Sequence, residues 1–335
     1  MTGSISTISA IVPSLGHSPW QDEMLAALRR ELAGFPGSEL IWVHQGPHGG
    51  KGVGGSVPKP PHLPGARELL VRLPRAAGFA VAVNTGFAVA DETAAIVLVN
   101  DDCVVEPGWL AALADELARR PQAGALQGAQ LELARPEIVE GSGLGWNRWW
   151  QAVQVAAGEP AAALPVAPFE LFGVSATAAL YRREALAAVA GSAGRKAHLF
   201  DERLDSYYED VELAVRLREA EWESWCVPAA RARHAGQATA GRAPLRRWRS
   251  IHRNRLLVLR RLLGGEFVAN LPRLAARDLR DLLGACLRLD GARALGVVAG
   301  WASAMPHLAA FAPPSASASR RARAAAARFR IGSTA

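Results

Sequence analysis

Asn100, Asp101 and Asp102 follow directly on the apolar run Ile96-Val97-Leu98-Val99. Carboxylate and amide oxygens at the end of a buried strand are hard donors, suited to Mg2+ or Mn2+ with coordination positions left open. The same pattern also describes a strand followed by an Asp-rich turn or a helix cap, and spacing alone does not separate the two. A second acidic group, Glu209-Asp210, precedes Val211, Ala214 and Val215, which share one helical face. Both acids then lie at a helix N-terminus, where the dipole favours the ionised form and a carboxylate can serve as a general base. Taken by itself, this pair reads more simply as a helix cap.

The elements that must hold these groups are legible as alternating patterns. Residues 8–12 form a β-branched run stopped by Pro13, and residues 20–32 follow with Met24, Leu25, Leu28 and Leu32 at helical spacing. Residues 40–43 and 96–99 are further apolar runs. Strands alternating with helices predict an α/β fold with a mainly parallel sheet covered on both faces. Ligands of such sheets bind beyond the carboxyl ends of the strands, where residues 100–102 would meet them.

Residues 45–65 are rich in Gly and Pro and read as a mobile surface loop. Its GGKG fails as a phosphate-binding loop, since Gln45 stands six before Lys51 and Gly52 occupies the Ser/Thr position.

With 335 residues, half of them hydrophobic and 21% charged, the chain has the composition of a globular enzyme with one main domain. Its net charge of +7 is unevenly placed. From Arg231 onward there are 20 arginines and 4 acidic residues, whereas the first 230 residues hold 18 Lys or Arg against 27 Asp or Glu. A basic C-terminal part attracts anionic lipid, nucleic acid or pyrophosphate-linked ligands, or is simply a solvated face. Cys103, Cys226 and Cys286 lack metal or disulfide spacing and read as thiols of a reducing cytoplasm. Residues 1–10 lack a secretory pattern, so the expected location is cytoplasmic.

In order along the chain, the motifs resemble those of the rhamnosyltransferase-like branch of family 2 glycosyltransferases. The resemblance covers about residues 6–261. It is carried by Gly78-Phe79 with Asn84-Thr85-Gly86, by Asn100-Asp101-Asp102 as a variant DxD motif, and by Pro107-Gly108-Trp109-Leu110. Gly173 through Arg182 and Arg183, then Phe200-Asp201-Glu202, then Glu209-Asp210, and finally Arg216, Pro228 and His234 continue it.

This resemblance implies a GT-A fold with a Rossmann-like mixed, mainly parallel sheet. It also implies inverting transfer of a sugar from a nucleotide-diphosphate donor to a hydroxyl of a glycan or lipid-linked acceptor in cell-surface polysaccharide synthesis. On its terms Asp102 and His234 bind a divalent cation, Mg2+ or Mn2+. Pro13, Ser14, Asn84, Asn100, Asp101 and Asp102 line the donor, Asp210 is the base with Glu209 beside it, and Gly173 lies at the acceptor. Apart from the resemblance, Trp149 and Trp150 are candidate acceptor contacts because aromatic faces stack on sugar rings. His234 also reads, less strongly, as a histidine hydrogen-bonded in the core, and the Trp146–Trp150 cluster reads equally as plain packing. The chain departs from the family at Trp42-Val43-His44-Gln45-Gly46, where a nucleotide-contacting Asp turn is usual, at Pro13-Ser14-Leu15, and at Glu212 in place of a second Asp.

The expected organisation is a catalytic domain over residues 1–241, a basic and apolar helical extension over 242–312, and a flexible tail over 313–335. Residues 295–311 carry no charge and are short for a membrane span, so a helix on the membrane surface or packed on the catalytic part is expected. Arg246, Arg247, Arg249, Arg253 and Arg255 are expected to grip a pyrophosphate or, preferably, to face anionic lipid. Other readings are a catalytically altered homologue, a nucleotidyltransferase or a nucleic-acid-binding protein. The last lacks any helix-turn-helix, zinc-finger or RNA-binding signature, so nucleic acid is not an expected partner.

Overall fold

The computed structural model describes residues 5–46, 67–190, 198–236 and 243–331. Most of the Gly/Pro-rich stretch at 45–65, including GGKG, lies outside the described residues. The described chain begins β1 (Ile8–Ser14), α1 (Gln21–Leu32), β2 (Glu39–Gln45), β3 (Arg67–Leu73), α2 (Phe79–Val89), β4 (Ala95–Val99), β5 (Cys103–Val105) and α3 (Trp109–Arg119). It continues through β6 (Ala123–Glu132), β7 (Val139–Gly141), β8 (Leu144–Trp146), β9 (Ala152–Gln154), β10 (Phe169–Leu171), β11 (Ala178–Arg182) and α4 (Arg183–Val189). The last elements are α5 (Glu209–Glu219), β12 (Glu223–His234), α6 (Pro244–Leu263), α7 (Phe267–Leu287), α8 (Gly291–Ala304) and α9 (Ala316–Arg328).

The main sheet runs β10-β12-β6-β11-β4-β1-β2-β3. Strands β4, β1, β2 and β3 are mutually parallel, β6 is parallel to β12, and β11 runs antiparallel between β4 and β6. The sheet is therefore mixed and mainly parallel. Its central strands alternate between two cores, as a period of two requires. Ala10, Val12, Val97 and Val99 face a core closed by α1 and α3, while Ile11, Ile96 and Leu98 face a second core closed by α2, α4 and α5. Both faces are covered, which is why these strands read as unbroken apolar runs.

Strand β1 extends past Pro13, contrary to the sequence expectation. Pro13 and Ser14 pair only with β2, because the register with β4 stops at Ile11, so little hydrogen bonding is lost at the imide nitrogen.

A third core joins α5 to the C-terminal helices and contains Trp146, Phe172, Val211, Val215, Leu256 and Leu259. Nearly every residue of α5 is buried, because the sheet covers one side and α6 and α9 cover the other. The expected flexible tail is the main difference from the sequence reading. Ala318, Ala322 and Ala326 recur every fourth residue and are buried, Ser315 caps the helix at Ala318 N (3.1 Å), and residue 331 bonds back to Trp146. Small side chains permit close helix approach, and alanine has the lowest cost of helix formation, so the lack of bulky apolar groups did not preclude packing.

Helix α8 lies on α6, with Gly296 and Gly300 seated against Trp248 and His252. Residues Gly291–Phe311 are, among the described residues, long and apolar enough to cross a membrane by length and composition.

Candidate active site

Strands β1, β4, β6 and β12 all end on one edge of the sheet, and the acidic motifs gather there. The Asn100 amide nitrogen donates to the Thr177 carbonyl (2.8 Å), which holds the acidic turn beside the start of β11. Asp101 Oδ2 accepts from Ser14 Oγ at 2.5 Å, tying the turn to the end of β1. Burial, opposed by that hydrogen bond, pushes the Asp101 carboxyl up to about 6.

Asp102 is buried and faces His234, with Nε2 at 3.2 Å from Oδ1. The short pairing of β5 with β12 sets His234 opposite Cys103 and so beside Asp102. The other ring nitrogen of His234 lies 2.6 Å from Glu140 Oε2, a partner that sequence reading missed. Burial alone would lower the His234 pKa, but the hydrogen bonds to Asp102 and Glu140 outweigh it and raise the value to about 9.

Asn100 Oδ1 is buried without a hydrogen-bond partner. Asn100 Oδ1 and the Asp102 carboxylate, two residues apart in the turn, are hard donors of the type that suits Mg2+ or Mn2+. His234 would join them only by giving up its Nε2 proton so that this nitrogen can bind the metal, while Nδ1 stays on Glu140.

The second acidic motif meets the same edge. Asp210 Oδ2 accepts from the Ala176 amide (3.4 Å), Oδ1 from the Val211 amide (2.8 Å), and Ser175 adds a side-chain hydrogen bond. Ala176 is the neighbour of Thr177, so a short bonded path runs from Asn100 through Thr177 and Ala176 to Asp210. Glu209 is buried, and its Oε2 has no partner. Burial, and then the neighbouring Asp210 charge, push the Glu209 carboxyl well above its usual range. Burial also raises Asp210, but backbone amides from Val211 and Ala176 stabilise its anion. Of the two, Asp210 is the better placed to carry the negative charge, with Glu209 holding the proton.

The approach to α5 is strained. Asp205, Tyr207 and Tyr208 all have positive φ (63°, 72° and 70°), which costs energy for residues with a Cβ. Two elements hold them there. From α6, the fully buried Asn254 donates from Nδ2 to the carbonyls of Leu204 (2.7 Å), Ser206 (3.1 Å) and Tyr207 (2.8 Å). From α2, the Ala80 amide donates to the Asp205 carbonyl (3.0 Å), and Gly78, at φ +98°, leaves open the space where a Cβ would collide with Asp205 Oδ1.

Several residues expected to touch ligands support the fold instead. Asn84 spends its amide on the Phe200 backbone (2.9 Å each way) and on Glu202 (3.1 Å), so it fixes the 200-loop and is not free to meet a donor. Gly173 gives passage to α5, since a Cβ there would collide with Ala214 Cβ. Trp150 is enclosed, edge-on to Trp146 and under the Arg330 guanidinium, and has no open face for a sugar. Trp149 is half-buried, with Arg148 and Arg273 cations over its ring, and its contacts tie it to α7 rather than to Asp210. Pro13 is buried at the end of β1, so of that pair Ser14 makes the polar contact with the acidic turn.

Another cluster, His252, Asp278 and Asp281, has the proximity of a metal site. Its charges are already compensated, Asp278 by Arg255 (2.9 Å) and Asp281 by Arg277 (2.7 Å) and Arg293 (3.1 Å). It fastens α6, α7 and α8 together. Arg255 is thus buried within the protein, and Arg246 pairs with Asp205 (2.6 Å), so neither is a free lipid-facing cation as expected.

Residues 8–252 match the family model described as glycosyltransferase like family 2. The chain belongs to this family. Within it, the chain is 31% identical over 208 residues to the N-acetylglucosaminyl-diphospho-decaprenol L-rhamnosyltransferase of two Mycobacterium tuberculosis strains. That match covers 54% of this chain and 63% of the relative, so the chain spans under two thirds of the length of the curated relatives it matches. A crystal structure of GalNAc-T7 with UDP, GalNAc and Mn2+ superposes with a TM-score of 0.54 at 14% identity, covering 77% of this chain and 48% of that one. The shared fold is GT-A. In this glycosyltransferase-like chain the expected mixed sheet, the acidic turn after β4 and the acidic start of α5 occur together.

Proposed function

We propose that the chain transfers a sugar, L-rhamnose by similarity to its mycobacterial relatives, from a nucleoside-diphosphate donor to a hydroxyl of a lipid-linked glycan, with inversion and with a divalent cation. The observation that carries this reading is the convergence of Asn100–Asp102 and Glu209-Asp210 on one sheet edge, linked through Thr177 and Ala176. A cation bound there supplies charge neutralisation at the leaving diphosphate. Asp102, His234 and Asn100 Oδ1 would hold it, with Ser14 and Asp101 supporting the turn.

Asp210 accepts the acceptor hydroxyl's proton on a carboxylate oxygen. The freed oxygen forms the new bond to the anomeric carbon as the bond to the diphosphate oxygen breaks, and the diphosphate leaves with that electron pair. One displacement inverts the carbon, so no covalent sugar intermediate is needed. Glu209, protonated, can donate a hydrogen bond to the acceptor. The lipid-diphosphate acceptor is carried over from the name of the relatives, and a polyprenol-linked acceptor would place the reaction at a membrane surface.

The test is transfer of labelled sugar from a panel of nucleoside-diphosphate sugars to an N-acetylglucosaminyl-diphospho-polyprenol. The expected result is one preferred donor, L-rhamnosyl, a product anomer opposite to the donor's, and loss of transfer on chelation. A product that keeps the donor's configuration, or transfer undiminished by chelator, would overturn the corresponding part.

A further inference from the structure

The exposed apolar side chains of this protein are concentrated in one place. Of the fourteen large ones among the described residues, eight lie between residues 267 and 305. Six of these cluster around the turn joining α7 to α8: Leu279, Leu283, Leu287 and Leu289 on one arm, Leu295 and Val298 on the other. Leu287 is 86% exposed and Leu289 93%. Leu279, Leu283 and Leu287 are spaced by four and so share one face of α7. The opposite face, with Leu274, Asp278 and Ala285, is buried. A soluble surface rarely leaves so continuous a stripe in water.

The charges around the stripe decide what covers it. Arg280 and Arg288 are exposed and have no acidic partner among the described residues. Every acid nearby is engaged: Asp278 by His252, Arg255 and Trp301, Asp281 by Arg277 and Arg293, and Asp290 in capping α8 at Arg293 N (2.9 Å). The net charge at the hairpin tip is positive. A second copy docking isologously through this tip would set its arginines against their equivalents. An anionic bilayer instead offers acyl chains to the leucines and headgroup phosphates to the arginines.

We propose that the tip of the α7–α8 hairpin is a membrane-seating surface that inserts its leucine stripe into the interface of an anionic bilayer while α8 stays packed on α6. Gly296 and Gly300 against Trp248 and His252, and the Arg293–Asp281 pair at 3.1 Å, are the contacts that α8 would have to abandon in order to cross. The proposal gives the transferase reading a place of work but does not depend on it, since the test below reads binding and not turnover.

The test is flotation of the purified full chain with phosphatidylglycerol-containing vesicles and with pure phosphatidylcholine vesicles. The parent should float with the anionic vesicles, and Leu279→Ser/Leu283→Ser/Leu287→Ser should bind at least ten-fold more weakly with an unchanged melting temperature. Arg280→Gln/Arg288→Gln should lose most of the preference for anionic lipid. As a reporter that requires no loss of binding, Leu283→Trp should show a blue-shifted emission quenched by bromolipid. Triple-variant binding equal to the parent, or no bromolipid quenching of the added fluorescence in Leu283→Trp, would overturn the proposal. So would a parent that is dimeric, becomes monomeric in the triple variant and floats in neither form, which would assign the stripe to a second copy.

Discussion

Burial pushes both Asp210 and Glu209 up, Glu209 further, and the difference can be read by pH. Asp210 is raised above the usual 3.8 by burial but keeps amide donors, whereas Glu209 is raised further with one oxygen unpartnered. A base that must be ionised works only above its own pKa, so kcat/KM should rise with pH along a one-proton acid limb lying above 3.8. An acid limb at or below that value would exclude Asp210 as the base. Glu209 makes a separate prediction about stability. Its folded pKa lies above the unfolded value near 4.5, so its contribution is fully present below that pH and is lost as pH rises toward the folded pKa. Glu209→Gln removes this loss. Thermal melts should therefore show the variant gaining on the parent from about pH 4.5 upward, and a constant difference across pH would refute the assignment.

At the scale of elements, α5, the helix that carries the proposed base, is entered through a segment in unfavourable backbone geometry, and Asn254 of α6 is its clamp. Asn254→Ala leaves the buried Leu204 carbonyl and the part-buried Ser206 and Tyr207 carbonyls without this donor and should cost about 1–3 kcal/mol in stability. It should lower kcat more than it changes the KM for donor, because the acidic turn after β4 is untouched. Asn254→Asp should be worse than alanine, since a carboxylate presents only acceptors to carbonyl oxygens. Calorimetry with steady-state kinetics would check both, and unaltered kcat in the alanine variant would show that the clamp does not position the base.

This scale also separates what was legible in the sequence from what was not. Strands β1, β2 and β4, helix α1 and both acidic motifs stand out because each is a local pattern: an apolar run, a helical period, a run that ends in Asp. Asn254 and Glu140 carry no such signal, because their partners are 47–50 and 94 residues away in sequence. Asn84 is a further case, since a conspicuous Asn-x-Gly says nothing of its bonds to Phe200, 116 residues distant. The backbone strain at Tyr207 and Tyr208 was equally invisible, as neither is a residue type that favours positive φ.

At the scale of the whole molecule, the C-terminal helices are part of what keeps the site in shape. α5 is buried between the sheet and α6 and α9, and the final described residues bond to the Trp146 backbone. Truncation after residue 314 removes α9 and uncovers apolar surface on α5 and α6. A domain of this size shifts by roughly 2–4 °C for each kcal/mol, so the melting temperature should fall by about 5–10 °C. An unchanged melt would restore the reading of residues 313–335 as a free tail.

The account as a whole rests on an ionised carboxylate at the start of α5 acting on a sugar whose diphosphate is held at the turn after β4. The most direct measurement compares donor affinity and single-turnover transfer rate in the parent and in Asp210→Asn, with metal and donor saturating. The account predicts donor binding within about three-fold of the parent and transfer slower by about 10²–10⁴-fold, the range for loss of a general base. Transfer at the parental rate in Asp210→Asn would contradict it.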